Sequence, residues 1–254
     1  MRPIVRVRNL SKRYELRKSH SANPTLREAL VGALSSPRAR LGNGRSSRDV
    51  LWVLRDVNFD VEPGEVIGII GNNGAGKSTL LKILARITRP SDGEIDIYGR
   101  VGSLLEIGTG FHPDLTGREN IYLNATILGM KRREIKGKFD EIVAFSEVEQ
   151  FLEMPVKFYS TGMYLRLAFA VAAHLEPEVL LLDEVLAVGD LAFQQKCLAK
   201  MREVSSEGRT VFFVSHSIAA IQGLCNRVFV VSAGQVSEPE NKEIAIAKYV
   251  QDGS

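Results

Sequence analysis

The first hundred residues show the apolar and polar alternation that is typical of β-strands. Ile4–Asn9 alternates strictly, and we expect Leu10–Tyr14 to end that strand with an aromatic residue. Val66–Ile70 is continuously apolar, which favours a fully buried strand. Further strands are predicted at Trp52–Val61, Glu94–Tyr98 and Val101–Leu105. The pattern therefore predicts a sheet near the N-terminus, built around Val66–Ile70.

Between residues 111 and 175 the apolar residues recur at helical spacing instead. This spacing predicts the helices Glu119–Leu128, Ile135–Phe145 and Met163–Leu175. Because strand patterns stand on both sides, we interpret about 111–175 as a helical subdomain inserted into a sheet domain.

Strands return in the last third of the chain, so the sequence as a whole predicts an α/β protein. The predicted strands are Val179–Leu182, Val211–Val214 and Arg227–Ser232, with helices at about Phe193–Ser205 and Ile218–Cys225. Glu240–Val250 is amphipathic and is a candidate helix in a C-terminal tail that we place at 238–254.

The composition is that of an ordinary globular protein, with 44% hydrophobic and 25% charged residues among 254. The chain lacks an apolar run of the ~20 residues that a membrane helix needs, and its first residues lack a signal-peptide core. We therefore expect a cytosolic protein that meets a membrane only through a partner or its surface. Cys197 and Cys225 are expected to be buried thiols.

The charge is unevenly distributed along the chain. Residues 1–49 carry twelve Lys and Arg against three Asp and Glu, a charge of +9, which leaves −6 for the rest of a chain with net charge +3. Residues 17–49 read as an irregular excursion with a short helix at Thr25–Leu34. This basic region could face nucleic acid or an anionic membrane surface, or it could be a solvated loop, and the residues leave these alternatives open.

The clearest chemical signal is the glycine-rich turn after Val66–Ile70. It fits the pattern G-x-x-x-x-G-K-[ST] and leads into a helix that we expect to start at Ser78 and to end before Pro90. Glycines let backbone N–H groups converge on a phosphate chain at the positive end of a helix. The nucleotide-binding residues predicted here are Gly71, Asn72, Asn73, Gly74, Ala75, Gly76, Lys77, Ser78 and Thr79. Lys77 would neutralise phosphate oxygens, and Ser78 would be a ligand of Mg²⁺.

Three short segments complete the predicted site. Val179–Glu184 delivers Asp183 to the end of a buried strand, where it would hold Mg²⁺, and Glu184 would be the general base for water. His216 follows a strand and could reach a γ-phosphate. Ser160, in Tyr159–Met163, could cap a helix whose N–H groups meet a phosphate. Each of the three segments alone is weak, because a strand end, a helix start and a lone histidine are more often structural.

These segments, in this order, resemble the nucleotide-binding subunit of ATP-binding-cassette transporters over nearly the whole chain. The resemblance implies a P-loop ATPase fold with a mixed sheet and a cassette domain at 1–237. It implies that Tyr14 stacks on adenine, that Asp190 belongs to the D-loop, and that His216 is the switch histidine. Ser160, Thr161 and Gly162 stand in the signature position, which implies contact with ATP bound by a second subunit. Glu106 replaces the glutamine of the Q-loop, and its role in metal contact stays open.

The amino-acid sequence between the motifs is similar to that of the polysaccharide-export branch of these transporter subunits, above all in Leu104–Asn124 and Lys157–Asp190. This resemblance implies a motor that uses ATP and Mg²⁺, forms a homodimer, and drives a polytopic permease for lipid-linked glycans such as O-antigen. It also implies a peripheral location on the cytoplasmic face of the bacterial inner membrane, with no nucleic-acid partner. The chain ends soon after the cassette, so it is either a shorter type or part of a longer protein.

Two other functions are compatible with a P-loop. A soluble ATPase of the same superfamily could act on nucleic acid or ribosomes, but such proteins usually carry two cassettes or a coiled-coil insert. A P-loop kinase or GTPase is the second alternative, although the chain contains no NKxD guanine motif. The sequence therefore favours the transport ATPase.

Overall fold

A computed structural model describes residues 2–16, 49–105, 108–183 and 189–252. The helix predicted at Thr25–Leu34 lies outside the described residues, as do Glu106 and Glu184. The described chain contains two sheets and seven α-helices.

A small antiparallel sheet contains β1 (Val5–Leu16), β2 (Asp49–Val61) and β4 (Asp92–Ile97), in the order β2-β1-β4. The prediction that the first strand ends within Leu10–Tyr14 is wrong, because β1 pairs with β2 as far as Leu16. Register shifts between Val7 and Arg13 interrupt the alternation without breaking the pairing. A prediction from apolar and polar alternation therefore ends the strand too early.

The second sheet has the order β10-β8-β3-β7-β6-β5, and β9 pairs with the last residues of β8. The neighbours β8, β3, β7, β6 and β5 run parallel, whereas β9 and β10 are antiparallel, so the predicted mixed sheet is confirmed. β3 and β7 are buried at every position because helices and the small sheet cover both faces. The strands are β3 (Val66–Gly71), β5 (Val101–Ser103), β6 (Val179–Asp183), β7 (Thr210–Val214), β8 (Arg227–Ser232), β9 (Gln235–Val236) and β10 (Glu240–Asn241).

The helices are α1 (Lys77–Leu84), α2 (Gly117–Ile127), α3 (Arg132–Ser146), α4 (Thr161–Ala173), α5 (Leu191–Ser206), α6 (Ile218–Leu224) and α7 (Lys242–Asp252). Short 3₁₀ turns occupy Glu149–Phe151 and Val156–Phe158. The last helix begins after the predicted Glu240, because Glu240–Asn241 pairs with β8 as β10. The helix expected from Ser78 begins at Lys77 and ends at Leu84, before Pro90 as predicted.

Three of the helices begin two residues earlier than the apolar pattern predicts. α2, α4 and α5 follow Thr116, Ser160 and Asp190, whose side-chain oxygens accept from the backbone N–H groups of Glu119, Met163 and Phe193. The predicted first residue is in each case the capped third residue of the helix. The apolar pattern starts only at this third residue, so a prediction from the pattern misses the first two residues of the helix.

Three apolar clusters stabilise the fold. Along β7, Phe212 and Val214 contribute to a cluster with the small sheet and α1, while Val211 and Phe213 contribute to the opposite cluster with α5, α6 and α7. The third cluster lies among residues 121–175 of α2, α3, α4 and their connections. Cys197 and Cys225 are both buried, as predicted. Within the described ranges, no helix is long and apolar enough to cross a membrane.

Candidate nucleotide-binding site

The turn between β3 and α1 has the shape of a phosphate loop. A Cβ atom at Gly71 would lie 2.2 Å from the carbonyl oxygen of Val231, and one at Gly76 would lie 2.8 Å from that of Val53. Gly76 also has φ +114°, a conformation that side chains disfavour. At Gly74, no heavy atom of the described residues lies within 4 Å of the position a Cβ would take. The loop is thus tightly packed at both ends and open in the middle.

Lys77, the first residue of α1, lies beneath this loop and is only 7% exposed. Its Nζ donates to the carbonyl oxygens of Gly71 at 2.7 Å and Asn72 at 3.0 Å. The N–H of Ala75 donates to the same Asn72 oxygen at 3.2 Å. These bonds hold the charged amine and the loop backbone in one arrangement.

A cavity of ≈ 380 Å³ opens over the loop. Asp183 ends β6 and pairs in register with Val214 of β7, two residues before His216. Because β3, β7 and β6 are parallel neighbours, their carboxyl ends meet at one edge of the sheet. The cavity is lined by Val53, Asn73, Gly74, Gly76, Lys77, Ser78, Thr79, Asp183, Val214 and His216.

Some predicted residues lie beside this cavity rather than in it. Gly71, Asn72 and Ala75 form the loop, but the described lining does not include them. Tyr14 is 43% exposed, with the ammonium of Lys12 4.8 Å from its ring centroid. The described lining does not include Tyr14 either, so its stacking on adenine stays a prediction.

The residues predicted to form the signature segment, Ser160, Thr161 and Gly162, lie in a separate cavity. Ser160 caps α4, and its hydroxyl accepts from the N–H of Met163 at 3.1 Å. This cavity of ≈ 500 Å³ is lined by Glu147, Val148, Ser160, Thr161, Gly162, Met163, Leu165, Arg166, Gly189 and Asp190. Among the described residues, none lines both cavities. One chain therefore does not bring its own signature segment to its own phosphate loop.

Arg166 of α4 connects the signature helix to Asp190, and the sequence reasoning missed it. Its guanidinium donates to Glu147 Oε2 at 2.7 Å and to Asp190 Oδ2 at 2.8 Å, and it lies 5.0 Å from the ring centroid of Phe193. Asp190 Oδ1 accepts from the N–H of Phe193 at 2.9 Å, so the same carboxylate caps α5. The sequence offered one signal for this role, since Arg166 is a lone arginine within an apolar helical run.

The segment after Glu106 is attached to the helical region by buried polar side chains. Asn124 donates to the carbonyl oxygen of Thr109 at 2.8 Å. The Asn120 side chain accepts from the N–H of His112 and donates to the carbonyl oxygens of His112, Leu115 and Thr116. The Tyr164 hydroxyl donates to the carbonyl oxygen of Gly108 at 2.7 Å, and burial raises the pKa of Tyr164. The described residues that follow Glu106 are thus bonded to α2 and α4. Sequence reasoning missed these contacts.

A phosphate loop between a buried strand and a helix, with a carboxylate ending a nearby parallel strand, defines a P-loop nucleoside triphosphatase. The ABC transporter family model matches residues 54–187. A relative from Klebsiella pneumoniae, named O-antigen export system ATP-binding protein, is 40% identical over 99% of this chain and 99% of that protein. The chain therefore belongs to the ABC transporter family, and it is an ATPase of that family.

Other relatives are longer than this chain. An O-antigen export system ATP-binding protein of Myxococcus xanthus is 45% identical over 81% of this chain, which spans 47% of that protein. A teichoic acids export ATP-binding protein of Enterococcus faecalis is 49% identical over 70% of this chain and 39% of its own length.

Solved structures share the fold. An ATP-binding cassette solved as a dimer with ADP and Pi has a TM-score of 0.70 at 22% identity, covering 94% of this chain and 98% of that chain. An ATP-binding subunit of an ABC transporter has a TM-score of 0.72 at 22% identity, covering 99% of this chain and 95% of that chain. The predicted ABC ATPase fold is thereby confirmed.

Proposed function

We propose that the protein is the ATP-hydrolysing motor subunit of an exporter that moves lipid-linked polysaccharide across the bacterial inner membrane. The observation that carries the motor function is the cavity in which Lys77, Ser78, Asp183 and His216 meet. The export function rests on the relatives, whose names describe O-antigen and teichoic acid export.

The loop residues fit a triphosphate by shape and charge. The open position at Gly74 leaves space for phosphate oxygens against the loop backbone, and the N-terminus of α1 offers a favourable field. Lys77 neutralises the β- and γ-phosphate oxygens from beneath. Ser78 and Asp183 are oxygen ligands in the same cavity and would hold Mg²⁺, Asp183 through water. The bound metal would neutralise charge on the phosphates.

Hydrolysis needs a base and a group that stabilises the γ-phosphate. Glu184 follows Asp183 directly in the sequence and is the proposed general base for water. His216 lines the cavity and is the proposed contact to the γ-phosphate. Glu106 stands in the proposed Q-loop position, where its carboxylate would add negative charge beside the metal and the phosphates.

We further propose a head-to-tail homodimer. Because the signature cavity of one chain is separate from its own phosphate cavity, Ser160, Thr161 and Gly162 can contact ATP bound by a second copy. Leu191 is 78% exposed beside Asp190, and a second copy would cover this apolar side chain. In this arrangement, Tyr14 stacks on adenine, and closure over two ATP molecules is the motor stroke.

The stroke would pass through the helical region to a polytopic permease, which places the protein peripherally on the cytoplasmic face of the inner membrane. We propose the helical subdomain at about 111–175, the cassette at 1–237 and the tail at 238–254. The segment that would transmit the stroke is held on one side by Tyr164 and Asn124.

The first experiment tests the motor. Lys77→Met should abolish ATP turnover, while Lys82→Met, an exposed lysine of the same helix, should leave it near the wild-type rate. Glu184→Gln should bind ATP and form a stable dimer without turnover. Near-normal hydrolysis by Glu184→Gln would refute the base assignment, and a strictly monomeric form at saturating Mg·ATP would refute the dimer.

The second experiment tests export in the organism of origin. Deleting the gene should remove a surface polysaccharide and accumulate its lipid-linked precursor inside the cell. Wild type and Lys82→Met should restore the surface polymer, and Lys77→Met should not. Normal surface polysaccharide in the deletion strain, together with salt-sensitive RNA binding by the purified protein, would favour an ATPase that acts on nucleic acid.

A further inference from the structure

The C-terminal helix α7 packs against the large sheet next to the phosphate loop. Ala245 and Ile246 are buried in the apolar cluster that contains Val228 of β8. Tyr249 follows them by four and three residues, so it continues the same helix face, and its ring packs against that cluster. The buried face of α7 therefore points Tyr249 along the sheet.

Tyr249 reaches the phosphate loop itself. Its hydroxyl oxygen lies 3.2 Å from Oδ1 of Asn72, to which it donates. Asn72 directly follows Gly71, where β3 ends, and β3 is the neighbour of the strand β8 against which α7 packs. The strand order thus brings together two residues that are 177 positions apart.

Asn72 has a second task in the loop. Its backbone carbonyl accepts from the Lys77 Nζ at 3.0 Å and from the Ala75 N–H at 3.2 Å. When the side chain of Asn72 is held by Tyr249, rotation of this residue is restricted, and the carbonyl stays aimed at Lys77. Removing the phenol hydroxyl would free the loop at its first turn.

The other end of α7 contacts the neighbouring helix α6. Lys242 Nζ donates to the carbonyl oxygen of Gln222 in α6 at 2.7 Å. α6 begins after its cap Ser217, the residue that follows His216. The helix therefore contacts both the loop that starts the phosphate site and the helix that follows the proposed switch histidine.

We propose that Tyr249 is a positioning residue for nucleotide binding, which acts through Asn72 to hold the phosphate loop in its ATP-accepting conformation. The inference rests on ATP binding at the loop and does not depend on the exported substrate.

The test is Tyr249→Phe in the full chain, with Mg·ATP affinity measured by titration of a fluorescent ATP analogue. The dissociation constant and the KM for ATP should rise about two- to tenfold, the range that one net hydrogen bond corresponds to. The kcat should stay within about twofold, because the reacting groups are untouched. Tyr98→Phe, an exposed tyrosine beside Arg2, is the matched control and should change neither value.

A double-mutant cycle separates positioning from general stability. In an Asn72→Ala background, Tyr249→Phe should have no further effect on ATP affinity. Unchanged affinity in the single variant, or an equal effect with and without Asn72, would overturn the inference. An affinity loss fully matched by a lower melting temperature without nucleotide would also overturn it. If the wild type itself fails to bind Mg·ATP, the proposed motor function fails, and this inference fails with it.

Discussion

Asn120 offers a sharp test of how the helical region holds the segment after Glu106. The side chain is fully buried on α2. Its Oδ1 accepts from the N–H of His112 at 2.7 Å, and its Nδ2 donates to the carbonyl oxygens of His112, Leu115 and Thr116 at 3.1, 3.0 and 3.0 Å. The substitution Asn120→Ala removes all of these bonds. The N–H of His112 then loses this acceptor, while the three carbonyl oxygens keep the backbone N–H groups of Leu115, Val156 and residue 120 as donors.

The expected cost follows from these contacts. The amide oxygen accepts one hydrogen bond, and the two N–H groups are shared among three carbonyl oxygens. We therefore count three full hydrogen bonds of about 0.5–1.5 kcal/mol each. Alanine has a helix propensity about 0.6 kcal/mol better than asparagine, which offsets part of the loss. We therefore expect Asn120→Ala to lower the free energy of unfolding by about 1–4 kcal/mol.

Urea denaturation followed by circular dichroism measures this loss, and the exposed Asn226→Ala is the control, with an expected change within about 0.5 kcal/mol. The ATPase rate at a temperature where both variants are folded should also fall for Asn120→Ala, because the segment after Glu106 loses its bonds to Asn120 and keeps those to Asn124 and Tyr164. A loss below about 0.5 kcal/mol would refute the reasoning, since it would mean that water replaces the amide without cost.

Three further predictions concern other regions. Gly137 lies mid-helix in α3, with no heavy atom of the described residues within 4 Å of a built Cβ, so Gly137→Ala should stabilise the protein by about 0.5–1 kcal/mol in urea denaturation. Destabilisation would contradict this. Burial lowers the pKa of His174. The unfolded chain therefore binds the proton more readily, and stability should be full above about pH 6.5 and fall below it. His174→Gln should flatten that fall in pH-dependent melting, and an unchanged slope would exclude His174 as its source. Arg166→Met should lower kcat by at least about twofold, because Asp190 loses its bond to α4. Stability should change by less than about 1 kcal/mol, because both carboxylate partners are about half exposed or more. Lys200→Met is the control, and equal kcat values in the two variants would contradict the positioning of Asp190.

The local elements could be predicted where a residue's own neighbours decide the structure. β8 has the predicted bounds, Arg227–Ser232, because turn residues flank a short apolar run. The phosphate loop was recognisable because its glycines are required by backbone geometry within a few residues, as at Gly76. Helix starts were missed by two residues, because a cap such as Thr116 lies outside the apolar period.

Contacts between distant segments could not be predicted in this way. The predicted end of β1 was too early. Only the pairing with β2 shows that the strand continues past the register shifts to Leu16. Arg166 and Asp190 are 24 residues apart, and Tyr249 and Asn72 are 177 apart, and no periodic pattern relates them. Such contacts depend on strand order and helix docking.

The sequence by itself determined the α/β class, the phosphate loop at 71–79 and the carboxylate at the end of β6, because backbone conformation and burial periodicity are local properties. Only the tertiary structure decided that Asp183 and His216 share a cavity with Lys77, and that Ser160 lies in a different one. The physical reason is that side chains meet through the order of parallel strands and the docking of helices, which depend on packing over the whole chain.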